Sequence, residues 1–391
     1  MRILHLTTFL QGGAGRVIVD LALQQQAGGD DVTVVTSESE TAGYGNYPAY
    51  LSELAQAGVR IERVDSLFHR DYAQNLAVVR RLNETFAPGR EPDVAHAHAA
   101  IPSLIGRLFA GGRSSPIPIV QTMHGWGVAK TRAQAVVDVE LMNLVDAVVV
   151  PSSHSAQLLA SLGVDRGRVA VVPYGTRTTR PAADADDVET LERMARARRD
   201  GELVVACIGT FGGRKNQTLL VDALARLDPA TAVFCVFVGD GDARTLRRRI
   251  RAAGLLSARI HGYSRSARAI AAAADLVVLP SKSEGQPLTL LEAFRDGTLV
   301  AVSDIPELTE LVEDGVTGLT FRADDAVALA AALTRVRAMT GAAREAIRIR
   351  ARRRHAERFT LDAMTRGYRQ IYDAVRHRRA ASRRPNVSPA A

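Results

Sequence analysis

Between Ser281 and Gly297 the chain reads SKSEGQPLTLLEAFRDG, with two carboxylates, Glu284 and Glu292, eight positions apart. Gly285 and Pro287 lie between them, followed by an apolar run. Just upstream, ADLVVLPS (Ala274 to Ser281) has the composition of a buried strand ending in a loop. Pro287 suits the first turn of a helix, where its missing N–H costs nothing, and Gly297 suits the stop. The expected helix is Pro287–Arg295. Glu284 then lies in the loop before it and Glu292 about one and a half turns inside it. Free N–H groups at a helix start attract an anion. A carboxylate on each side of a phosphate-sized site is the arrangement needed to hold a sugar nucleotide, one acid for sugar hydroxyls and the other for ribose hydroxyls. Taken by spacing alone, the same residues also describe a surface helix with two solvated glutamates.

Other residues gather at the expected ends of strands. Lys215 follows VVACIGTFGG and precedes NQTLLVDAL, so it points at whatever anion sits over the strand ends. Gly12-Gly13-Ala14-Gly15 follows the first strand and opens a helix, a context in which backbone amides can approach a phosphate. It does not fit Gly-x-Gly-x-x-Gly, and only Glu38 offers a ribose acid nearby, which counts against a nicotinamide enzyme. His124, in VQTMHGWG, stands just past a strand end, either donating to a sugar hydroxyl or phosphate or packed and satisfied. Trp126, Lys130 and Arg132 follow it as acceptor-pocket candidates, with Trp126 equally readable as core. His96 and His98 alternate at a strand end, one ring expected inward. With no third ligand evident they read as wall or structural residues, not a metal site.

Strand-like runs alternate with helical ones throughout, which implies parallel α/β layers. The first-half strands are Arg2–Thr7, Asp31–Thr36, Arg60–Val64, Val94–Ala97, Ile119–Met123, Ala147–Val150 and Val169–Val172. The second-half strands are Leu203–Ile208, Val233–Val238, Arg259–His261, Leu276–Leu279 and Thr298–Val302. Thr176 to Asp187, polar and proline-containing, reads as a hinge. A final helix, Leu361 to about Arg378, carries Met364, Tyr368, Ile371, Tyr372 and Val375 on one stripe.

These motifs resemble the Glu-x7-Glu retaining glycosyltransferases of GT-B fold, family 4 (group 1). The resemblance covers nearly the whole chain and is strongest between Gly201 and Phe321. It implies two Rossmann-like domains facing across a cleft: 1–176 on the acceptor side and 177–360 on the donor side. Residues 361–380 form a helix packing back on the first domain, and 381–391 a disordered tail. It implies a nucleotide-sugar donor, a UDP-sugar first among them, with no cofactor and no metal. Gly12 and Gly13 would close over the diphosphate, and Lys215, with amides near Leu288 and Thr289, would hold it. Glu284 would orient sugar hydroxyls, Glu292 the ribose diol, and Gly262 and Tyr263 would seat the base. His124 would lie near the reaction centre. The family's Gly-Arg-x-x-x-x-Lys is broken here by Thr210 after Gly209, and Arg214 either supplies the missing charge or faces solvent. The acceptor would be a glycan, lipid-linked saccharide or natural product. A sugar phosphorylase, a nucleotide-sugar epimerase or hydrolase, and a non-catalytic partner subunit are the other readings of this fold.

Composition narrows the rest. At 391 residues, two domains are expected. No apolar run reaches the ~20 residues of a membrane span. Two cysteines in apolar runs, Cys207 and Cys235, imply buried thiols in a reducing cytoplasm. Of the Asp-x-Asp pairs, Asp184 to Asp186 reads as solvated, while Asp240 to Asp242 follows a strand. Asp242 also reads as a helix N-cap. The net charge of +8 is concentrated: Arg344 to Arg384 holds fourteen arginines against Glu345, Glu357, Asp362 and Asp373. That stretch suits either a solvated helix face or contact with anionic lipid at the inner face of the membrane. Few aromatics interleave with it, which argues against nucleic acid.

Overall fold

The computed structural model describes all residues except 42, 88, 114–116, 128–129, 179–184, 229 and 382–391. The chain forms two compact units: Met1–Tyr174 together with the chain from Leu361 onward, and Gly175–Thr360.

In the first unit, strands β1 (Arg2–Leu6), β2 (Asp31–Ser37), β3 (Arg60–Val64), β4 (Val94–Ala97), β5 (Ile119–Thr122), β6 (Ala147–Val150) and β7 (Val169–Val171) form one sheet. Their order is β3-β2-β1-β4-β5-β6-β7, every pair parallel. Parallel strands covered by helices on both faces must be apolar on both, which is why AVVV of β6 is wholly buried. Val32 and Val34 face one core with Ile18 and Val19, while Val35 faces the other with Leu4 and Ile105. Each such side chain contributes about 1.5–3 kcal/mol on burial.

The last helix, Leu361–Ala381, belongs to this unit and runs three residues beyond the expected end. Met364, Tyr368, Tyr372 and Val375 are buried along its inner stripe. Gly367 lets its backbone close on β7's neighbour Val172, where an added Cβ would meet Cγ1 at 2.8 Å. Arg369 pairs with Asp30, and Arg379 grips Asp146 at 2.6 and 3.0 Å.

The second unit repeats the plan with β8 (Leu203–Ile208), β9 (Val233–Val238), β10 (Ala258–Gly262), β11 (Leu276–Leu279), β12 (Leu299–Ser303) and β13 (Leu319–Phe321). Their order is β10-β9-β8-β11-β12-β13. Cys207 and Cys235 are buried and unbonded on adjacent strands. Strand β13 and the helices Val188–Arg199 and Gly341–Arg358 escape the periodicity reading because only short or sparse stripes are apolar. In Gly341–Arg358 the inward stripe is just Ile347, Ala351 and His355.

Strand order reverses between β1 and β4 in one unit and between β8 and β11 in the other. Helices leave opposite faces of the sheet at such a point, opening a crevice at the carboxyl ends where ligands bind.

Candidate functional site

The β8/β11 reversal in the second unit brings Lys215, Arg214 and Glu284 together. Strand β8 ends at Ile208, and Gly209 just after it must approach the end of β9 closely: a Cβ on Gly239 would sit 2.1 Å from the Gly209 carbonyl oxygen. The chain then loops to Lys215, whose methylenes lie against Gly209. Strand β11 ends at Leu279, and the following loop carries Ser281 and Glu284. Lys215 Nζ donates to both Glu284 oxygens at 2.7 and 3.0 Å. Ser281 Oγ donates to Oε1 at 2.6 Å and Arg214 Nη1 to Oε2 at 3.2 Å. Glu284 is only 9% exposed, so one buried acid organises two cations. Arg214 is half exposed and also donates to the Ser283 carbonyl, so it neither faces solvent freely nor stands apart from the cluster.

Past Gly285 the helix Leu288–Asp296 begins, with Pro287 as its N-cap and not inside its first turn. The correction matters little chemically, since the Leu288 and Thr289 amides are still among the orphan donors of a helix start. The first amide bonded back is Leu290, to the Pro287 carbonyl. Gly297 ends the helix in the left-handed region, φ 69°, which favours glycine. Glu292, inside this helix, meets Arg268 Nε at 3.2 Å. Nothing in the local sequence marks Arg268 as its partner, because the two approach through helix packing.

At the end of β10, Gly262 takes φ 93° and Tyr263 is half exposed. Tyr263 and His261 help line a cavity of about 470 Å³ in this unit. Asp187 Oδ1 and Thr190 Oγ1 hold the His261 ring at 2.9 and 2.7 Å. Asp186 is exposed, as expected, whereas Asp187, at the N-cap position of the helix Val188–Arg199 without a side-chain cap bond, is fully buried and accepts from Ser264 and Ser266. Asp184 lies outside the described residues. Asp242 is not an N-cap: Ala243 holds that position, and Asp242 accepts from the Arg244 amide at 2.9 Å and from its guanidinium.

In the first unit, Gly12 and Gly13 open the helix Gly12–Ala27. Gly12 has φ 57°, and an added Cβ at either position would meet nothing within 4 Å. Gly15 differs, since a Cβ there would meet the Leu10 carbonyl carbon at 2.6 Å. So packing demands glycine at position 15, backbone conformation demands it at 12, and neither demands it at 13.

His124 is held at both ring nitrogens, Nδ1 by the Tyr174 hydroxyl at 2.7 Å and Nε2 by His98 Nδ1 at 3.1 Å. Both His96 and His98 point inward, contrary to the expectation of one. His98 Nε2 meets His5 Nδ1 at 3.0 Å, and His5 Nε2 meets Gln25 Oε1 at 2.8 Å. Gln25 Nε2 donates to Tyr372 at 3.2 Å, and the Tyr372 hydroxyl meets His96 Nδ1 at 2.7 Å. His96 Nε2 reaches Thr122 Oγ1 at 2.7 Å. Burial lowers His5 and His124 to about 4. His96 and His98 are pushed well down by burial and by neighbouring imidazoles. His5 is the third ligand whose apparent absence argued against a metal, since atoms of His5, His96 and His98 lie within 4.8 Å of one another. Each of their ring nitrogens has a hydrogen-bond partner within this unit.

His124 also lines a cavity of about 360 Å³ in the first unit, with Gln121, Arg70, Lys130 and Asp138. Arg70 and Lys130 bracket the buried Asp138 at 2.8 and 2.7 Å. Lys130 Nζ stands 3.8 Å above the Trp126 ring, which packs against the core. Arg132 is exposed at the start of the next helix.

Two sequence profiles match the chain: Glycosyltransferase Family 4 over residues 11–180, and Glycosyl transferases group 1 over residues 202–338. The D-inositol 3-phosphate glycosyltransferase of Geodermatophilus obscurus is 30% identical over 326 residues, 75% of this chain and 69% of that protein. The chain belongs to the group 1 glycosyltransferases. The enzyme of the same description from Nocardia farcinica is also 30% identical, over 62% of this chain, but the match spans only 58% of that relative. Anabaena HepE, solved with UDP and glucose, superposes with a TM-score of 0.80 at 20% identity, covering 96% of this chain and all of HepE. The glycosyltransferase therefore has the GT-B fold.

In this glycosyltransferase much of the basic C-terminal charge is tied down. Arg350 and Arg354 donate to the Val316 and Glu310 carbonyls, and Arg352 pairs with Glu345. Among the described residues no helix is long and apolar enough to cross a membrane. Sequence reading missed His5, Gln25, Gln121, Asp138 and Arg268. The available signal was a polar residue inside an otherwise apolar strand or helix stripe, as in RILHL and IVQT.

Proposed function

We propose that this glycosyltransferase moves a sugar from a nucleoside-diphosphate donor to an acceptor hydroxyl with retention at the anomeric carbon. The observation that carries the reading is the Lys215–Glu284–Arg214 cluster at the strand reversal of the second unit, beside the open start of helix Leu288–Asp296. Negative charge grows on the diphosphate as the C1–O bond breaks. Lys215, Arg214 and the Leu288 and Thr289 amides are fixed positive groups that would stabilise it. Gly12 and Gly13 would add backbone donors, since glycine at 13 is explained by ligand approach and not by packing. Glu284 would orient sugar hydroxyls and Glu292 the ribose diol, with the base near Gly262 and Tyr263. In this scheme protein cations do the work of a metal, and a UDP-sugar is the first donor to try, given the UDP in HepE.

The first unit would hold the acceptor in the cavity beside His124. Gln121 Oε1 is buried there and finds no hydrogen-bond partner among the described residues, so it calls for a hydroxyl donor. Arg70 and Lys130 exceed Asp138 by one positive charge, which suits an acceptor carrying an anionic group. The relatives' description as D-inositol 3-phosphate glycosyltransferases supports a phosphorylated polyol. The test is a panel of UDP-, GDP- and dTDP-sugars with inositol phosphates and free inositol, in EDTA, with product anomers assigned by proton NMR. Acceptor-dependent nucleotide release and a retained configuration are expected. Release without acceptor, or loss in EDTA, would overturn the reading.

A further inference from the structure

The histidines of the first unit form a single directed chain. A side-chain amide fixes its direction, because a carbonyl oxygen only accepts and an NH2 only donates. Gln25 turns Oε1 to His5 and Nε2 to Tyr372. His5 Nε2 must therefore carry the proton, and in a neutral ring His5 Nδ1 accepts from His98 Nε2. His98 Nδ1 then accepts from His124 Nε2, and His124 Nδ1 accepts from the Tyr174 hydroxyl. On the other side, Tyr372 accepts from Gln25 and so gives its own proton to His96 Nδ1, leaving His96 Nε2 to donate to Thr122. All four rings are the same tautomer, and every bond from Tyr174 to Thr122 runs one way.

We propose that His98, His5 and Gln25 are positioning residues for His124, holding it as an uncharged Nε2–H imidazole beside the transferred sugar. The inference rests on the reading that His124 lies at that sugar. A diphosphate nearby would draw a proton onto an ordinary imidazole. An imidazolium there would oppose the positive charge that develops on the sugar as the leaving group departs. In this chain a proton added at His5 or His98 Nδ1 sets two N–H donors face to face, and one added at His124 Nδ1 requires the Tyr174 hydroxyl to turn round and accept it. Around it stand its own histidines, Tyr174, Tyr368 and Tyr372, then Asp30, paired with the Met1 amino group and Arg369, and, across the cavity, Arg70, Lys130 and Asp138.

Three substitutions separate direction from mere packing. His98→Gln can accept from His124 and donate to His5, preserving the direction, whereas His98→Leu cuts the chain. Gln25→Glu offers only acceptors: it still accepts from His5 Nε2, leaving His98 and His124 as Nε2–H, but Tyr372 must now donate to it, which turns His96 to Nδ1–H. Long-range proton–nitrogen NMR of the full chain reads the His124 and His96 tautomers without any substrate, and kcat set against donor KM reads the consequence. Expected at His124 is Nε2–H in the wild type, His98→Gln and Gln25→Glu alike, and at His96 a change from Nε2–H to Nδ1–H in Gln25→Glu alone. His98→Leu should lose about tenfold to a hundredfold in kcat with donor KM nearly unchanged and should leave His124 a mixture of tautomers, both restored in His98→Gln. An Nδ1–H tautomer at His124 in the wild type, or Gln25→Glu leaving His96 as Nε2–H, overturns the chain. A wild-type kcat, or a wholly Nε2–H His124, in His98→Leu overturns the positioning role. If no nucleotide sugar supports transfer, the reading of function fails, while the NMR result still decides the direction of the chain.

Discussion

Lys215 and Glu284, sixty-nine residues apart in sequence, meet with Nζ 2.7 and 3.0 Å from the two carboxylate oxygens. The acid is nearly buried and the lysine mostly so, which makes each the other's main partner at the strand reversal.

Removing one partner leaves the other unpaired. Glu284→Gln is expected to cost about 1.5–3 kcal/mol of stability by the usual worth of charged hydrogen bonds. Lys215→Ala should lower kcat about 10²–10³-fold if the lysine stabilises leaving-group charge. Urea unfolding and steady-state kinetics measure the two, and a double-mutant cycle gives their coupling. A Lys215→Ala enzyme with wild-type kcat would remove the lysine from the chemistry.

Glu292 meets Arg268 at 3.2 Å within the same unit. Glu292→Gln should act mainly on donor binding, raising its Kd by about 10- to 100-fold with a small effect on kcat. Calorimetric titration with the nucleoside diphosphate checks this. An unchanged Kd would leave Glu292 a structural partner of Arg268.

Glycines 13 and 15 should respond in opposite ways. Gly13→Ala meets nothing within 4 Å and replaces glycine in a helix, so it should raise stability by about 0.5–1 kcal/mol while lowering activity. Gly15→Ala places Cβ 2.6 Å from the Leu10 carbonyl carbon and should destabilise by about 1–3 kcal/mol. Thermal unfolding of both proteins, alongside donor turnover, separates ligand approach from packing.

Stability should fall on acidification well before the carboxylates titrate. His5 and His124 drop from 6.5 to about 4 in the folded chain because burial disfavours the charged ring. Above pH 6.5 folded and unfolded chains are both neutral at these rings. Between 6.5 and 4 only the unfolded chain takes up the protons, so unfolding becomes easier by about 1.4 kcal/mol per pH unit for each histidine. Urea midpoints across pH 4 to 7 measure the slope. His5→Gln should flatten it, and a flat wild-type profile would contradict buried neutral rings.

The sequence alone carried what depends on local periodicity and short-range chemistry. Strand β11, the proline-opened and glycine-closed helix Leu288–Asp296, and Lys215 at the end of β8 follow from alternation, capping and turn preferences within about ten residues. Partners brought together by tertiary packing left no such mark. Arg268 reaches Glu292 from another helix, Asp187 is buried by Ser264 and Ser266 some eighty residues on, and Gln25 joins His5 to Tyr372 of the last helix. Hydrophobic periodicity says which face of an element turns inward, not which polar group will be waiting there. Only the β1/β4 reversal and the packing of helix Leu361–Ala381 made the inward polar residues of RILHL and VAHA into one hydrogen-bonded chain.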